Sequence, residues 1–226
     1  MAEALYLLPG WGLSVQLLAP LAAALKPAFA VHLLEQPASL EQLDAQVPAG
    51  AWLGGWSLGG MLAVALAARR GAACPGVISL ASNACFSARE GWPWAMAEGT
   101  FGAFLAGCEQ APAATLKRFT LLCAQGAEQP RELARQLAAQ PGAASVAGLQ
   151  WLAALDNRAA LGAFSGAQCH LLAELDGLVP ASALPALRAL APQAHWALLA
   201  NASHAFPVQA TQQVARMVID WRLAHG

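Results

Sequence analysis

One stretch of the chain, Gly55-Trp-Ser-Leu-Gly59, places a serine between the glycines that a sharp turn needs. A short apolar run at residues 51–54 precedes it, and an alanine- and leucine-rich segment follows from Met61 to Arg70. This order predicts a nucleophile elbow, in which a buried strand turns abruptly into a helix and exposes the hydroxyl of Ser57. The glycines would lie where neighbouring backbone comes closest. The alternative is a glycine-rich turn whose serine has no catalytic role.

A serine hydroxyl is a weak nucleophile at neutral pH, so Ser57 needs a histidine to take its proton and a carboxylate to orient that histidine. Asp176 follows a predicted strand at Gln168 to Ala173, and His204 follows the next one at His195 to Ala200. The loops that leave the carboxyl ends of parallel strands meet at one edge of the sheet. We therefore expect the three side chains to converge.

Other carboxylates and other histidines are alternatives to Asp176 and His204. Asp176 precedes a glycine and could form an ordinary turn, in which case Glu174 or Asp156 could serve as the acid. Only His204 lies on a loop that follows a strand. The other histidines lie in predicted strands, at the start of one, or in the C-terminal tail: His32, His195, His170 and His225.

Acyl transfer also needs an oxyanion hole made of two backbone N–H groups. One comes from the residue after the nucleophile, Leu58, and the other from the loop after the first strand. The first predicted strand, Ala4 to Leu8, ends in Pro9-Gly-Trp-Gly12. Trp11 is therefore the predicted second donor.

The segments that must position these residues alternate between strand and helix, which predicts an α/β fold with crossover connections and a parallel sheet. Six strands are predicted, at residues 4–8, 29–34, 51–54, 76–82, 168–173 and 195–200. Helices are predicted at residues 14–25, 61–70, 181–190 and 208–223, and a short helix is predicted to begin at residue 39. From 89 to 161 the alternation stops and a helical cap is predicted. The domains are thus a core at 1–88 and 162–226, and a cap at 89–161 inserted in it.

Composition excludes several classes of partner. The chain has 226 residues, enough for one substantial core, a charged fraction of 11% and a net charge of −1. No overall field attracts nucleic acid or an anionic membrane, so we expect neither. No apolar stretch approaches a membrane span and no secretory signal is evident, which predicts a cytoplasmic protein. The five scattered cysteines are typical of reduced, buried thiols. We expect no metal and no cofactor.

With these residues in view, the chain resembles the α/β-hydrolase superfamily. More narrowly, it resembles the esterases that demethylate pimeloyl-acyl-carrier-protein methyl ester in biotin synthesis. The matching segments span most of the chain: Gly10–Leu13, Trp52-Leu53, Gly55–Gly60, Ala81-Ser82, Cys85–Arg89, Trp92-Pro93, Arg118-Phe119 and Leu175–Pro180. The Cys-Phe-Ser-Ala-Arg and Leu-Asp-Gly-Leu-Val-Pro pieces are the most specific.

The resemblance carries roles onto matching positions. It implies that the serine, aspartate and histidine chosen above are the triad. It also implies that Trp11 and Leu58 are oxyanion and substrate-contacting positions, and that Phe119 is a wall of the acyl pocket. The chain departs from the family at Pro9, where many members have histidine, and it lacks their N-terminal strands. A reduced sheet with a bare edge follows, and we expect a monomer or a weak dimer.

Three arginines of the predicted cap are implied to receive an acidic acyl-carrier protein that bears the ester. Arg131 and Arg135 are one helical turn apart, and Arg118 lies on the preceding helical segment. A further basic position of the family's patch corresponds to Ala114 here. The alternative is that these arginines form an ordinary solvated helix face.

The function implied is that of a serine carboxylesterase that hydrolyses the methyl ester of pimeloyl-acyl-carrier protein through an acyl-enzyme. One alternative is a general short-chain carboxylesterase that does not dock a carrier protein. The other is a non-catalytic acyl-binding protein on the same fold, which would be marked by the loss of a triad residue.

Overall fold

The computed structural model describes residues 2–142 and 144–224, so the tail residue His225 lies outside it. Six strands of the described chain form one sheet, and every strand pair is parallel. The strands are β1 (Glu3–Leu8), β2 (Phe29–Leu33), β3 (Trp52–Trp56), β4 (Gly76–Leu80), β5 (Ala167–Ala173) and β6 (His195–Leu199). Their order across the sheet is β2-β1-β3-β4-β5-β6. The predicted α/β fold with a six-stranded parallel sheet is confirmed.

The helices of the described chain lie between and after the strands. They are α1 (Ala19–Ala24), α2 (Leu40–Gln46), α3 (Leu58–Arg70), α4 (Glu98–Gln110), α5 (Pro112–Ala124), α6 (Pro130–Ala139), α7 (Val146–Ala154), α8 (Arg158–Ala163), α9 (Leu184–Leu190), α10 (Phe206–Gln209) and α11 (Thr211–Ala224). Short 3₁₀ turns precede α1, follow α3 and precede α9, at Val15–Leu18, Gly71–Ala73 and Ala181–Ala183.

Two predicted helices are divided in the structure. The segment after Ser14 forms a 3₁₀ turn before α1, because Pro20 in the first turn of α1 has no N–H to continue a helix from upstream. The predicted C-terminal helix is likewise preceded by the short α10. The two helices meet at Ala210, whose backbone is not helical (φ −126°, ψ 37°).

The centre of the sheet is completely buried. Every residue of β3 and of β4 is buried, and α3 packs on both strands. Such all-round burial is typical of parallel strands covered by helices on both faces. The elbow therefore lies at the carboxyl edge of the completely buried centre of the sheet.

The predicted cap range contains four helices, α4 to α7, between β4 and β5. Helix α5 packs against α4 and α6, and α4 also contacts α7. The next helix, α8, packs on α3 and α9 beside the sheet, although it begins at Arg158 within the predicted cap range. The division into core and cap thus remains a prediction.

No helix in the described ranges is long and apolar enough to cross a bilayer. All five cysteines lie in these ranges and are buried and unpaired.

Candidate active site

Ser57 occupies the single residue between β3 and α3. Its backbone has φ 56° and ψ −118°, a conformation that costs a non-glycine residue about 1–3 kcal/mol. A Cβ atom at Gly59 would overlap with the carbonyl oxygens of Leu8 and Pro9, and one at Gly55 would overlap with the backbone of Gly59. The glycines thus let β1, β3 and α3 meet at the serine, as the pentapeptide predicts.

The strand and the helix reach closer to Ser57 than their patterns indicate. The sequence predicts a strand that ends at residue 54 and a helix that begins at 61, whereas β3 continues to Trp56 and α3 begins at Leu58. Glycine has a low propensity for both strands and helices. Gly55, Gly59 and Gly60 therefore make the predicted strand end too early and the predicted helix begin too late. The chain therefore changes from strand to helix at a single residue, Ser57.

Asp176 and His204 form a buried pair. Nδ1 of His204 lies 2.8 Å from Oδ2 of Asp176, and both side chains are 0% exposed. The other carboxylate oxygen, Oδ1, accepts hydrogen bonds of 2.8 Å from the backbone N–H groups of Leu178 and Val179. These amides fix the carboxylate, which in turn orients the ring so that Nδ1–H donates to it.

The remaining ring nitrogen, Nε2 of His204, is buried and has no hydrogen-bond partner among the described residues. An orphaned buried acceptor is uncommon in folded proteins. Ser57 is itself only 2% exposed. Because Nε2 has no partner, the hydrogen bond between Ser57 and His204 is not made in this structure. Such bonds often form only in the substrate complex.

A hydrogen bond outside the predicted set links the two loops. The indole Nε1 of Trp56 donates to the backbone carbonyl of His204 at 2.9 Å, and both residues are fully buried. Trp56 directly precedes Ser57, so this bond couples the elbow to the loop of the histidine. The position of Trp56 within the pentapeptide is the only feature of the sequence that indicates this hydrogen bond.

The other candidate acids are engaged elsewhere. Glu174 accepts from the backbone N–H of Asn201 at 3.0 Å, and Asp156 binds the guanidinium of Arg158 at 2.6 Å. The hydrogen bond from Arg158 lowers the pKa of Asp156 to about 2. Of the three candidate acids, Asp176 is therefore the one that contacts His204.

The other described histidines have ring or hydrogen-bond partners outside the elbow. His32 stacks on Tyr6 at 4.7 Å between ring centroids, and His195 stacks on Trp221 at 6.3 Å. His170 is buried in β5, with Nδ1 2.6 Å from the Ser79 hydroxyl, and burial lowers its pKa to about 3. No group of three or more described His, Cys, Asp or Glu residues could hold a metal ion.

The predicted oxyanion positions lie on either side of Ser57. A Cβ atom built at Gly10 would lie 3.3 Å from Cβ of Ser57, so the loop after β1 touches the elbow. Trp11 on this loop is fully buried, and its indole donates to the carbonyl of Ser145 at 2.8 Å. Leu58 is the first residue of α3, where backbone N–H groups have no acceptor within the helix.

Phe119 on α5 meets Trp11 edge to face, with ring centroids 5.1 Å apart. It also lines a very small apolar cavity of about 10 Å³ between the loops and the helices after β4. The cavity lining is Phe86, Met96, Phe104, Phe119, Leu149, Leu152 and Leu178. Met96 and Leu178 also line a wider surface pocket that includes Asp176. These two side chains therefore separate the cavity from the surface.

The predicted docking arginines are exposed on two packed helices, Arg118 on α5 and Arg131 and Arg135 on α6. Arg135 is paired with Glu132, one turn before it on α6. Arg118 and Arg131 make no ion pair with any described residue. The structure thus leaves two of the three guanidinium groups available.

The chain is similar to proteins of biotin synthesis. It is 40% identical over 235 residues to the biotin biosynthesis bifunctional protein BioHC of Cellvibrio japonicus, a match that covers 96% of this chain and 47% of that protein. The chain thus spans about half the length of this relative. It is 34% identical over 223 residues to the pimeloyl-[acyl-carrier protein] methyl ester esterase of Salmonella heidelberg, covering 89% of this chain and 86% of that protein. No protein-family model matches the chain.

Solved structures share the fold at low sequence identity. A bromoperoxidase from Bacillus anthracis has a TM-score of 0.82 at 16% identity, covering 99% of this chain and 92% of that one. An esterase from Exiguobacterium antarcticum has a TM-score of 0.82 at 15% identity, covering 98% and 92%. The enol-lactonase from Burkholderia xenovorans has a TM-score of 0.81 at 19% identity, covering 100% and 92%. These similarities establish the α/β-hydrolase fold.

Proposed function

Because the chain belongs to the family of the pimeloyl-[acyl-carrier protein] methyl ester esterases, we propose that it is a serine carboxylesterase acting on that ester. The observation that carries the proposal is the buried Asp176–His204 pair, whose Nε2 has no partner among the described residues and whose histidine backbone is hydrogen-bonded to Trp56, the residue before the elbow serine. The unpartnered Nε2 of His204 and the strained backbone of Ser57 both lower the stability of the fold. Both features are needed for acyl transfer, in which Nε2 accepts the proton of the serine hydroxyl.

In the proposed reaction the hydroxyl of Ser57 attacks the ester carbonyl while Nε2 of His204 takes its proton. Asp176 stabilises the imidazolium that forms. The tetrahedral intermediate collapses, the C–O bond to the methoxy group breaks, and methanol leaves with the proton from His204. A water molecule then attacks the acyl-enzyme, again giving its proton to His204, and releases the carboxylate and the free serine.

The negative charge of each tetrahedral intermediate develops on the former carbonyl oxygen. We assign its two hydrogen-bond donors to the backbone N–H groups of Leu58 and Trp11. Leu58 starts a helix whose dipole also favours negative charge at this end. Loss of one such donor typically costs about 10²–10³ in rate.

The acyl chain is proposed to lie along the apolar cavity that Phe119 lines. An aliphatic chain matches the polarity of an entirely apolar lining, whereas a charged head group does not. The cavity of about 10 Å³ has the size of about one water molecule, so the lining side chains would part to admit the chain. Met96 and Leu178 separate this cavity from the surface pocket at Asp176, so their side chains would move aside as the chain passes. The carrier protein would then remain outside.

Arg118 and Arg131 are proposed to receive the acidic carrier protein. Their guanidinium groups are exposed and free of described ion pairs, in a chain with few charges. Arg135 contributes less than the resemblance implies, because Glu132 competes for it. The partner is thus an acyl-carrier protein that bears the ester.

A general short-chain carboxylesterase is the second candidate, and two observations favour it. Ala114 is neutral where the family's patch has a further basic residue, and Arg135 is already paired. Both weaken the attraction for an acidic partner. This candidate keeps the same triad and cavity.

Other features of the protein remain predictions. We infer a cytoplasmic location because the five cysteines are buried and unpaired, as in reducing compartments. The core at residues 1–88 and 162–226, the cap at 89–161 and a monomer or weak dimer are likewise proposals.

The proposed function is tested in a biotin-requiring host that lacks its own esterase. Expression of the wild-type chain should restore growth without biotin, and Ser57→Ala at equal abundance should not. Purified protein should also release methanol from the carrier-linked ester. Hydrolysis of small esters without growth or methanol release would favour the general esterase.

A further inference from the structure

The segment after β4 curls back onto the elbow. Ala81 has a positive φ of 51°, which is rare for a residue with a side chain, and its N–H donates to the carbonyl of Leu171 at 2.9 Å. This turn directs Ser82 toward β3. The hydroxyl of Ser82 donates to the carbonyl oxygen of Ser57 at 2.8 Å, and it also lies 3.2 Å from the carbonyl oxygen of Leu80.

The end of β4 and the segment after it therefore form hydrogen bonds with both the backbone N–H and the backbone carbonyl of Ser57. The N–H of Ser57 donates to the carbonyl of Leu80 at 2.8 Å, and the carbonyl of Ser57 accepts from Ser82. The N–H of Met61 donates to the same carbonyl at 3.0 Å as part of α3. The Ser82 hydroxyl is thus the one donor to this carbonyl, among the described residues, that comes from outside the helix.

The carbonyl of Ser57 and the N–H of Leu58 belong to the same peptide unit. Because that unit is planar and trans, the direction of the carbonyl determines the direction of the N–H on its opposite side. A hydrogen bond to the carbonyl also polarises the peptide and makes its N–H a stronger donor. Any group that fixes the Ser57 carbonyl therefore acts on Leu58.

We propose that Ser82 is a positioning residue for the oxyanion hole, whose hydroxyl holds the Ser57–Leu58 peptide with the Leu58 N–H directed at the carbonyl oxygen of the bound ester. This inference rests on the proposed esterase function. Ser82 does not touch the substrate and acts through the peptide alone.

The surroundings of Ser82 support a dedicated role. Ser82 is only 7% exposed, so bulk water cannot readily replace its hydroxyl. A Cβ atom at Gly60 would overlap with Ser82 Oγ, so glycine at this position leaves the hydroxyl its place. The strained φ of Ser57 also requires fixed partners, because a relaxed turn would swing the peptide.

The test compares three variants with the wild-type protein on a soluble p-nitrophenyl ester. Ser82→Ala removes the donor, and Ser82→Cys keeps a side chain of similar shape with a weak donor. Ser79→Ala is the matched control, because Ser79 is also a buried serine of this strand segment, but its hydroxyl contacts His170 and not the elbow. For each variant kcat, KM, Tm and the affinity for a trifluoromethyl ketone are measured, since that inhibitor forms an oxyanion on Ser57.

We expect Ser82→Ala to lower kcat about 10-fold with KM within about 2-fold, since a misdirected donor costs less than a lost one. Its affinity for the ketone should fall by the same factor as kcat, and Ser82→Cys should be intermediate. Ser79→Ala should lower Tm without a change in kcat. If Ser82→Ala does not fold, Ser82→Cys and the ¹⁵N–¹H shift of the Leu58 amide decide the question.

Three results would overturn the inference. They are an unchanged kcat in a folded Ser82 variant, a fall in kcat that tracks the loss of Tm in Ser79→Ala as well, and a loss of kcat without a loss of ketone affinity. Failure of the proposed esterase chemistry is distinct, because the wild-type protein would then hydrolyse no ester and would behave like Ser57→Ala. Failure on the carrier-linked ester alone leaves this test unaffected, because the test uses a soluble ester.

Discussion

The indole of Trp56 donates a 2.9 Å hydrogen bond to the backbone carbonyl of His204, across a sequence separation of 148 residues. The residue before the candidate nucleophile therefore holds the residue proposed as its base. The rings lie 6.1 Å apart at an angle of 39°, so the contact is the hydrogen bond and not a stack. The separation of Ser57 from His204 is thus set by the rigid strand β3 as well as by the loop after β6.

This bond predicts an effect of Trp56→Phe on catalysis. The variant frees the His204 carbonyl and leaves a buried acceptor unpaired, which costs about 1–3 kcal/mol of stability. We expect kcat for a small ester to fall about 10-fold or more as the ring loses its position. Trp196→Phe is the control, because its indole also donates to a buried carbonyl, that of Ala191 at 3.0 Å. Equal kcat values for the two variants would contradict a positioning role.

The strained backbone of Ser57 predicts opposite effects on activity and stability. Ser57→Ala and Ser57→Gly should both lose about 10⁴-fold or more in kcat, because the nucleophile is gone. Glycine adopts the observed φ of 56° without strain, so Ser57→Gly should be about 1 kcal/mol more stable than Ser57→Ala. Urea unfolding measures this difference. Residual activity above a tenth of wild type in a pure Ser57→Ala preparation would show that Ser57 is not the nucleophile.

The acid assignment predicts which carboxylate matters. Asp176→Asn should lower kcat about 10⁴-fold, since an amide favours the wrong tautomer of His204. Glu174→Gln removes a neighbouring carboxylate that contacts only the loop backbone at Asn201, and it should leave kcat within about 2-fold. A larger loss of kcat in Glu174→Gln than in Asp176→Asn would reverse the assignment.

The fold could be predicted, and candidate triad residues could be chosen, because their signals are local. Apolar runs, glycines at a turn and loop positions after strands are visible in the sequence, and they indicated Ser57, Asp176 and His204. The contacts of Trp56 and Ser82 could not be predicted, because they depend on how strands and loops approach one another in space. The Glu132–Arg135 pair is different, since its spacing on one helix was available and only the rotamers decide whether it forms.

His170 predicts a loss of stability in acid. Burial lowers its pKa to about 3, whereas the unfolded chain protonates this ring near 6.5. Between these values the unfolded state binds more protons, so the free energy of unfolding falls as the pH falls from about 6.5 to 3. Unfolding in urea at several pH values should show a slope steeper by about one proton per molecule in the wild type than in His170→Gln.

The cap arginines separate the carrier-dependent esterase from the general one. If Arg118 or Arg131 receives an acidic carrier protein, a change to glutamate should weaken a charge-steered encounter and leave the chemistry at Ser57 intact. We expect kcat/KM for the carrier-linked methyl ester to fall about 10-fold or more at low salt, and kcat/KM for a small ester to change little. Arg135→Glu should have a smaller effect, because that guanidinium is already paired with Glu132.

Lys26→Glu is the matched control for this experiment. It makes the same change in net charge at an exposed site just before β2, at the amino end of the sheet and away from the carboxyl-edge loops. Steering acts on association, so added salt should slow the wild-type protein on the carrier substrate and should narrow its advantage over Arg118→Glu. If the glutamate variants lose activity equally on both esters, the arginines support the fold of the helices. If they lose activity on neither, the arginines are a solvated face and the general esterase is the better assignment.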